Sequence, residues 1–296
     1  MESGSPSKVS HKYNISKRKM AKIVLCEKRL LQSLDFPFTI RMEHYSQDPY
    51  NIYFVMPFVV GGEMFTHLRN RKCFDDDLTR FYAAQMVLAL EYLSCVCVVH
   101  RDIKPENILL DQHGFLKLAD FGFSKIIEGR TYTFCGTPPY IAPEVVRGQG
   151  YGRSADWWSL GILIFEMAAG SPPWVTRNNT KLFLKIMYDQ LRFPRNFSLD
   201  LQDLLKKLLQ RDVTRRIGNT WKGAAAVKEH AWFKKVNWLK MLNRSTNPPF
   251  VPPNTGHGDV SNFPHAAKSA ISKMTKAHAP TGDVDITAFA DDFKDF

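Results

Sequence analysis

Apolar residues recur at helical spacing in several stretches of the chain, and each stretch predicts a helix that buries one face. The first, over residues 16–34, sets its apolar residues among many basic ones and is expected to be amphipathic. The stretch over residues 155–169 is apolar nearly all round, which predicts a helix in the centre of the core. The other predicted helices cover residues 76–93, 181–190 and 199–209.

Alternation of apolar and polar residues predicts four short strands. Residues 39–45 and 51–58 are interpreted as two strands separated by a turn at residues 46–49. Two more strands, in the sequences ILL and LKLAD, flank the turn sequence QHG. Pairing of these two strands would bring Asn107 and Asp120 to the same edge.

The composition predicts a globular protein of one large or two ordinary domains. The 296 residues are 44% apolar, enough to fill a sizeable core. No apolar run approaches the roughly 18 residues of a membrane span, and neither a secretory nor a myristoylation signal is expected at the N-terminus. The five cysteines lack metal-binding spacing and predict reduced thiols in the cytoplasm or nucleus, with Cys135 as the exposed one.

The net charge of +11 admits a nucleic acid or an anionic surface as a partner. The basic residues are scattered along the chain, and they are dense only in residues 8–29 and 206–240. Aromatic residues that could stack on bases are not interleaved with them. Nucleic-acid binding is therefore not expected.

Chemically specialised residues are concentrated between residues 98 and 125. Transfer of a γ-phosphoryl group requires metal ions and cations around a loose transition state, together with an oriented hydroxyl. Asp120 and Asn107 offer the oxygen ligands that Mg²⁺ prefers. Asp102 can accept the proton of a substrate hydroxyl, and Lys104 can neutralise a phosphate oxygen. The order HRDIKPEN and then DFG matches the signature of protein kinases.

With these motifs and the block FCGTPPYIAPE over residues 134–144, the chain resembles the eukaryotic protein kinases, and within them the cAMP-dependent kinases of the AGC group. The resemblance implies an α+β, bilobal kinase fold with a truncated N-terminal β-lobe, a mainly helical C-lobe and a C-terminal tail. The implied divisions are a disordered N-terminus (1–7), a partial N-lobe (8–58), the hinge and C-lobe (59–243) and the AGC-type tail (244–296).

The resemblance also implies a serine/threonine kinase that uses ATP and Mg²⁺. Lys8 would pair with Glu27 of the C-helix and hold the nucleotide phosphates. Met56 would be the gatekeeper, and the carbonyl of Pro57 and the amide of Val59 would bind adenine. The other implied nucleotide-site residues are Glu63, Glu106, Asn107, Leu109, Asp120 and Phe263.

A switch and a substrate groove follow from the same resemblance. Thr133 aligns with the activating threonine, and Arg101 and Lys125 would bind its phosphate. The groove would bind arginines two and three residues before the phosphoacceptor, although Glu63 and Glu166 have an alternative interpretation as a helix-cap partner and a buried helix residue. The groove residues are Glu63, Glu106, Glu166, Phe134, Cys135, Pro138 and Ile141.

Some implied roles are structural. Asp156 would bind backbone amides of the catalytic loop, and Glu144 would form an ion pair with Arg216. The terminal aromatic residues Phe293 and Phe296 would dock against the C-helix.

Two functions remain open. Only seven residues precede Lys8, whereas the family places a glycine-rich loop and two strands there to cover the triphosphate. The first function is a kinase acting on protein substrates. The alternative is a catalytically impaired interaction module that binds a cAMP-binding regulatory subunit or an inhibitor peptide through the groove.

Overall fold

A small antiparallel sheet and two helices form the N-terminal lobe. The computed structural model of the protein describes residues 7–253, 259, 261–263, 292–293 and 296. The elements of this lobe are β1 (Ser7–His11), α1 (Lys12–Lys17), α2 (Ala21–Ser33), β2 (His44–Gln47) and β3 (Asn51–Val55). The strands follow the order β1-β3-β2, so Lys8 and Tyr45 lie on either side of Phe54. Ser7, expected in a disordered N-terminus, belongs to β1, while residues 1–6 lie outside the described residues.

The helix predicted over residues 16–34 is confirmed as α2 over residues 21–33, but its N-terminal part is wrong because the helix is interrupted there. The chain forms α1 and α2, which are separated at Lys19, whose φ of 55° is left-handed. The amide of Lys19 donates to the Ser16 carbonyl at 2.8 Å, and that of Met20 donates to the Ile15 carbonyl at 2.9 Å. These bonds close α1 before α2 begins at Ala21.

The strand predicted over residues 39–45 is also wrong for most of its length. Thr39 forms only an isolated bridge to Leu118, and strand β2 begins at His44. The turn lies later than predicted, because Asp48 accepts hydrogen bonds from the amides of Tyr50 and Asn51 at 2.7 and 2.6 Å. The predicted strand over residues 51–58 is confirmed as far as Val55.

Helices dominate the C-terminal lobe. They are α3 (Met64–Arg71), α4 (Asp76–Cys95), α5 (Pro143–Val146), α6 (Ser154–Ala169), α7 (Asn179–Tyr188), α8 (Leu199–Leu208), α9 (Ala224–Lys228) and α10 (Trp238–Leu242). Helices α4 and α6 form the centre of the lobe. The four helices predicted in this lobe are confirmed as α4, α6, α7 and α8. Asp75 caps α4 by accepting from the Leu78 amide at 2.8 Å, and α6 ends at Gly170, whose φ is 84°.

Two short strand pairs lie between the lobes and carry the chemically specialised residues. The strands are β4 (Val98–Val99), β5 (Ile108–Leu110), β6 (Leu116–Leu118) and β7 (Lys125–Ile126). The predicted pairing of ILL with LKL is confirmed, with Ile108 opposite Leu118. The Ala119 amide donates to the Asn107 carbonyl at 2.8 Å, which places Asn107 and Asp120 at the same end of the pair.

The mixture of a small sheet and a larger helical lobe confirms the predicted α+β bilobal architecture. None of the helices in the described part of the chain combines the length and the apolar composition that crossing a bilayer requires.

Candidate active site

A cavity of about 360 Å³ opens between the two lobes. Its size lies within the range of pockets that bind small organic ligands. Among its lining residues are several predicted from the sequence, namely Lys8, Glu27, Met56, Pro57, Val59, Leu109, Asp120 and Phe263. Residues that sequence reasoning missed also line it, namely Leu31, Ile40, Phe58, Ala119 and Phe121. Glu63, Glu106 and Asn107 are not among the residues that line this cavity.

Lys8 lies at the inner end of the cavity between two carboxylates. Its Nζ is 2.6 Å from Glu27 Oε1 and 3.5 Å from Asp120 Oδ1. Burial lowers the pKa of the Lys8 ammonium, but the two carboxylates outweigh burial and the pKa is raised overall. Lys8 is therefore charged at neutral pH, and strand β1 and helix α2 hold it where an anionic group could bind.

Asp102 is the centre of a second cluster of polar side chains. Lys104 Nζ donates to Asp102 Oδ2 at 2.7 Å and to Thr137 Oγ1 at 2.8 Å, and Thr137 Oγ1 donates to Asp102 Oδ1 at 2.6 Å. Burial raises the pKa of Asp102, but these hydrogen bonds and the Lys104 charge outweigh it and lower the pKa overall. Asp102 is thus a carboxylate at neutral pH. Thr137 was not predicted, because its role depends on a contact 35 residues away in the chain.

Asp156 fixes the backbone at His100 and Arg101 from the start of α6. Its two carboxylate oxygens accept hydrogen bonds from the amides of His100 and Arg101 at 2.8 and 2.9 Å. Arg101 and Asp120 both have left-handed φ values, 69° and 56°, which are uncommon for residues other than glycine. The expected structural role of Asp156 therefore agrees with the geometry.

Asn107 and Asp120 have the chemistry of Mg²⁺ ligands. The Asn107 amide nitrogen donates to Asp102 Oδ2 at 2.9 Å, which leaves its carbonyl oxygen for another partner. The Asp120 side chain is 48% exposed towards the cavity. No group of three His, Cys, Asp or Glu side chains suited to a metal ion occurs among the residues that the structure describes. A metal ion would therefore depend on these two side chains together with phosphate oxygens and water, as is usual for Mg²⁺.

The C-terminal tail contributes an aromatic wall to the outer end of the cavity. The ring of Phe263 stacks on that of Phe58, with centroids 5.7 Å apart and an interplanar angle of 20°. Further along the tail, Phe293 is buried, and its ring lies 5.3 Å from Lys12 Nζ. Phe296 lies 5.9 Å from Lys28 Nζ, so the terminal aromatics contact both α1 and α2.

The three predicted glutamates of the substrate groove interact electrostatically. Burial and the charge of Glu106 raise the pKa of Glu63. Glu166 is buried and accepts a hydrogen bond from the Tyr140 hydroxyl, and burial raises its pKa. One oxygen of Glu106 is buried without a hydrogen-bond partner in the described part of the chain. Glu63 precedes α3 but makes no side-chain cap bond, so the cap interpretation is not supported.

The segment around Thr133 differs in part from the expected arrangement. Thr133 is exposed, and its carbonyl accepts from the Tyr151 hydroxyl at 2.6 Å. Lys125 Nζ lies 3.4 Å from Thr131 Oγ1, which is two residues before Thr133, the expected partner. Arg101 Nε donates to the Phe123 carbonyl at 2.5 Å, and its Nη1 has no partner among the described residues.

The expected exposure of other groove residues is only partly observed. Cys135 is half-buried beside Tyr151, whereas Cys73 and Cys95 are exposed, so the prediction of Cys135 as the exposed cysteine is wrong. Phe134 is 57% exposed and Ile141 is buried. Pro138 begins a short 3₁₀ turn over residues 138–140.

Glu144 and Arg216 form the expected ion pair in the interior of the C-terminal lobe. Arg216 Nη1 and Nη2 donate to the two carboxylate oxygens of Glu144 at 2.6 and 2.9 Å. The pair lies away from the residues that line the cavity, so its role is structural.

Comparison with known proteins identifies relatives over most of the chain. Residues 6–233 match the model of the protein kinase domain. Over 91% of its own length, the chain is 43% identical to a cAMP-dependent protein kinase catalytic subunit of Dictyostelium discoideum. It is 47% identical to the cAMP-dependent protein kinase catalytic subunit PRKX of Mus musculus over 83% of its length. It is 46% identical to cAMP-dependent protein kinase type 3 of Saccharomyces cerevisiae over 86% of its length. It spans 41%, 70% and 65% of those three proteins.

Proposed function

This chain belongs to the protein kinase family, and we propose that it transfers the γ-phosphoryl group of ATP to serine or threonine residues of proteins. The observation that carries the proposal is the approach of Lys8, Glu27 and Asp120 at one end of the cavity, with Asp102, Lys104 and Asn107 beside it. Relatives named as cAMP-dependent protein kinase catalytic subunits support the serine/threonine class.

The protein's own residues account for binding and proton transfer. Lys8 would hold phosphate oxygens, because it is charged and is oriented by Glu27. Asn107 and Asp120 would hold Mg²⁺, which when bound neutralises the charge that develops on the transferred group. The Asp102 carboxylate would accept a hydrogen bond from the substrate hydroxyl and take its proton.

Adenine would lie between the hinge and the tail. The carbonyl of Pro57 and the amide of Val59 remain the proposed hydrogen-bonding groups. Phe58 and Phe263 line the same end of the cavity, so their stacked rings would exclude water from the base.

We also propose that the substrates carry arginine two and three residues before the phosphoacceptor. Glu63 and Glu166 support this, because burial and the charge of Glu106 raise the pKa of both carboxyls, and a guanidinium would favour their ionised forms. Glu166 already accepts from Tyr140, so an arriving guanidinium would share that carboxylate rather than replace the hydroxyl. Phosphorylation of Thr133 remains a proposal, with Arg101 and Lys125 as the partners of its phosphate, and the Arg101 Nη1 that has no partner among the described residues supports it.

Transfer of labelled phosphate to an arginine-rich serine peptide tests the proposal. We expect Asp102→Asn to lower the rate about 100-fold to 10,000-fold, the range of general base catalysis. The matched control Asp189→Asn, at the exposed end of α7, should not change the rate. Peptides with alanine in place of either arginine should be poorer substrates. Equal rates for the wild type and Asp102→Asn would refute the catalytic role.

The alternative, an interaction module, makes a different prediction. Mg-ATP that binds the folded protein raises its melting temperature. A chain that shows no such shift at millimolar nucleotide and no transfer, yet binds an inhibitor peptide or a cAMP-binding regulatory subunit, would favour the module.

The five cysteines are unpaired in the structure, which supports the proposed cytoplasmic or nuclear location.

A further inference from the structure

The corner between α1 and α2 presents a patch that the proposed phosphoryl transfer does not use. We call it the basic corner. All of its side chains are exposed, and the apolar ones are exposed by 36 to 46%. No acidic residue occurs in residues 12–26. The basic corner consists of Tyr13, Lys17, Arg18, Lys19, Met20, Lys22 and Ile23.

The fold holds the basic corner on one side of a rigid turn. Ile15 of α1 and Val24 of α2 are buried, so the exposed residues of both helices face away from the core. The two hydrogen bonds that close α1 fix Lys19 and Met20 in the turn. Lys17 Nζ lies 5.6 Å from the centroid of the Tyr13 ring, which joins a cation to the apolar part of the patch.

The cations of the basic corner lack acidic partners among the described residues. None of Lys17, Arg18, Lys19 and Lys22 forms a salt bridge in that part of the chain, and the Asp292 carboxylate beside them accepts a hydrogen bond from the Ser16 hydroxyl. The other basic segment, over residues 206–240, is different, because several of its lysines form ion pairs. These are Lys207 with Asp203 at 2.7 Å, Lys222 with Glu229 at 2.8 Å and Lys228 with Glu91 at 3.0 Å.

Local electrostatics disfavour this arrangement in the isolated protein. Helix α2 has no acidic residue in its first turn, and Met20 provides no side-chain cap. Lys22 therefore lies beside the positive end of the helix dipole, where a cation is unfavourable. An external anionic surface would relieve both this interaction and the repulsion among the four cations.

We propose that the basic corner docks the protein on an anionic lipid bilayer. Four clustered cations reach the number typical of segments that bind acidic lipids. The apolar side chains favour a bilayer over a soluble polyanion, because Met20 and Ile23 can enter the interface while the lysines contact lipid phosphates. A nucleic acid would contact the cations but would give the two aliphatic side chains no apolar environment.

Sedimentation of the full chain with lipid vesicles tests this inference. We expect binding to phosphatidylcholine vesicles that contain about 30% phosphatidylserine, weak binding to phosphatidylcholine alone, and weaker binding as salt screens the charges. The triple variant Lys17→Gln, Arg18→Gln, Lys19→Gln should bind about 100-fold more weakly, since each cation near the surface contributes about 1 kcal/mol. The matched variant Arg177→Gln, Lys181→Gln, Lys234→Gln removes the same charge from exposed positions elsewhere and should bind like the wild type.

The apolar part of the proposal has its own variant. Met20→Ser with Ile23→Ser leaves the charge unchanged and should weaken binding to vesicles but not to a single-stranded RNA. Three results would overturn the proposal: equal binding to neutral and anionic vesicles, equal losses in the two triple variants, or RNA binding that is stronger than vesicle binding and depends on the same cations. A melting temperature within a few degrees of the wild type would show that the variants are folded.

Discussion

Neutralising Glu144 should destabilise the protein strongly, because it leaves the guanidinium of Arg216 buried without a counter-charge. The two side chains are 3% and 0% exposed. Glu144→Gln keeps the shape of the side chain and one acceptor oxygen, and it removes the charge. The perturbation is therefore electrostatic rather than steric.

The expected cost follows from the contacts that remain. Removing one partner of a buried ion pair costs about 3–5 kcal/mol. In this variant Arg216 still donates to the carbonyls of Ser154 and Gln210, both at 2.9 Å, and lies over the ring of Trp158. These contacts favour the cation, so we expect the lower part of the range, about 3 kcal/mol. Arg216→Met should cost about 5 kcal/mol, because it also leaves both carbonyls without a donor.

Urea denaturation followed by circular dichroism measures these free energies of unfolding. The double variant Glu144→Leu, Arg216→Met buries no charge, so it should cost at least about 2 kcal/mol less than the sum of the single variants Glu144→Leu and Arg216→Met. Glu91→Gln serves as a control, because its pair with Lys228 is partly exposed and should contribute less than about 1 kcal/mol. A cost below about 1 kcal/mol for Glu144→Gln, or additive single costs, would refute the reasoning.

Thr137→Val should shift the acid limb of the kcat/KM profile to higher pH. It removes a hydrogen bond that favours the ionised form of Asp102, whose lowered pKa keeps it a carboxylate well into the acid range, so protonation would begin at higher pH. An acid limb that is unchanged or moves to lower pH would contradict this. Gly170→Ala should cost more than about 1 kcal/mol of stability, because a Cβ at this left-handed position would overlap the Lys72 carbonyl. Gly148 also has a positive φ of +67°, but a Cβ there would meet open space. Gly148→Ala should therefore lose less free energy of unfolding than Gly170→Ala in the same urea experiment. Equal losses in the two variants would contradict the role of the overlap with the Lys72 carbonyl.

Elements whose signals are local in the sequence could be predicted. The helix over residues 155–169 and the strand pair beside the catalytic loop depend on periodicity and on a glycine turn, and both are observed. The positions of Asn107 and Asp120 at one end of that pair follow from the register alone. The local sequence of the motif was therefore enough to predict that Asn107 and Asp120 lie close together.

The break between α1 and α2 had no such signal. Residues 18–20 contain neither glycine nor proline, and the apolar spacing continues through them. The left-handed conformation of Lys19 is stabilised by backbone hydrogen bonds and by packing of both helices on the core. The helix propensities of single residues include neither effect. The missed strand over residues 39–45 is similar, since tertiary contacts decide where the chain joins the sheet.

Some site residues could not be predicted from the sequence, because their roles depend on contacts with distant residues. Thr137 completes the Asp102 cluster, and Phe58 completes the aromatic wall with Phe263. The Tyr140 hydroxyl donates a hydrogen bond to the carboxylate of Glu166. In each case the partners lie tens or hundreds of residues apart, so only the folded chain places them together.

The carboxylate of Asp156 joins the amides of His100 and Arg101 to α6, a helix whose described residues are nearly all buried. A loop anchored in this way takes its position from the core of the larger lobe, so the orientation of Asp102 is set there. Lys8 and Glu27 belong to β1 and α2 of the smaller lobe. A change in the angle between the lobes would therefore move Lys8 and Glu27 relative to Asp102 and leave the Asp102 cluster in place.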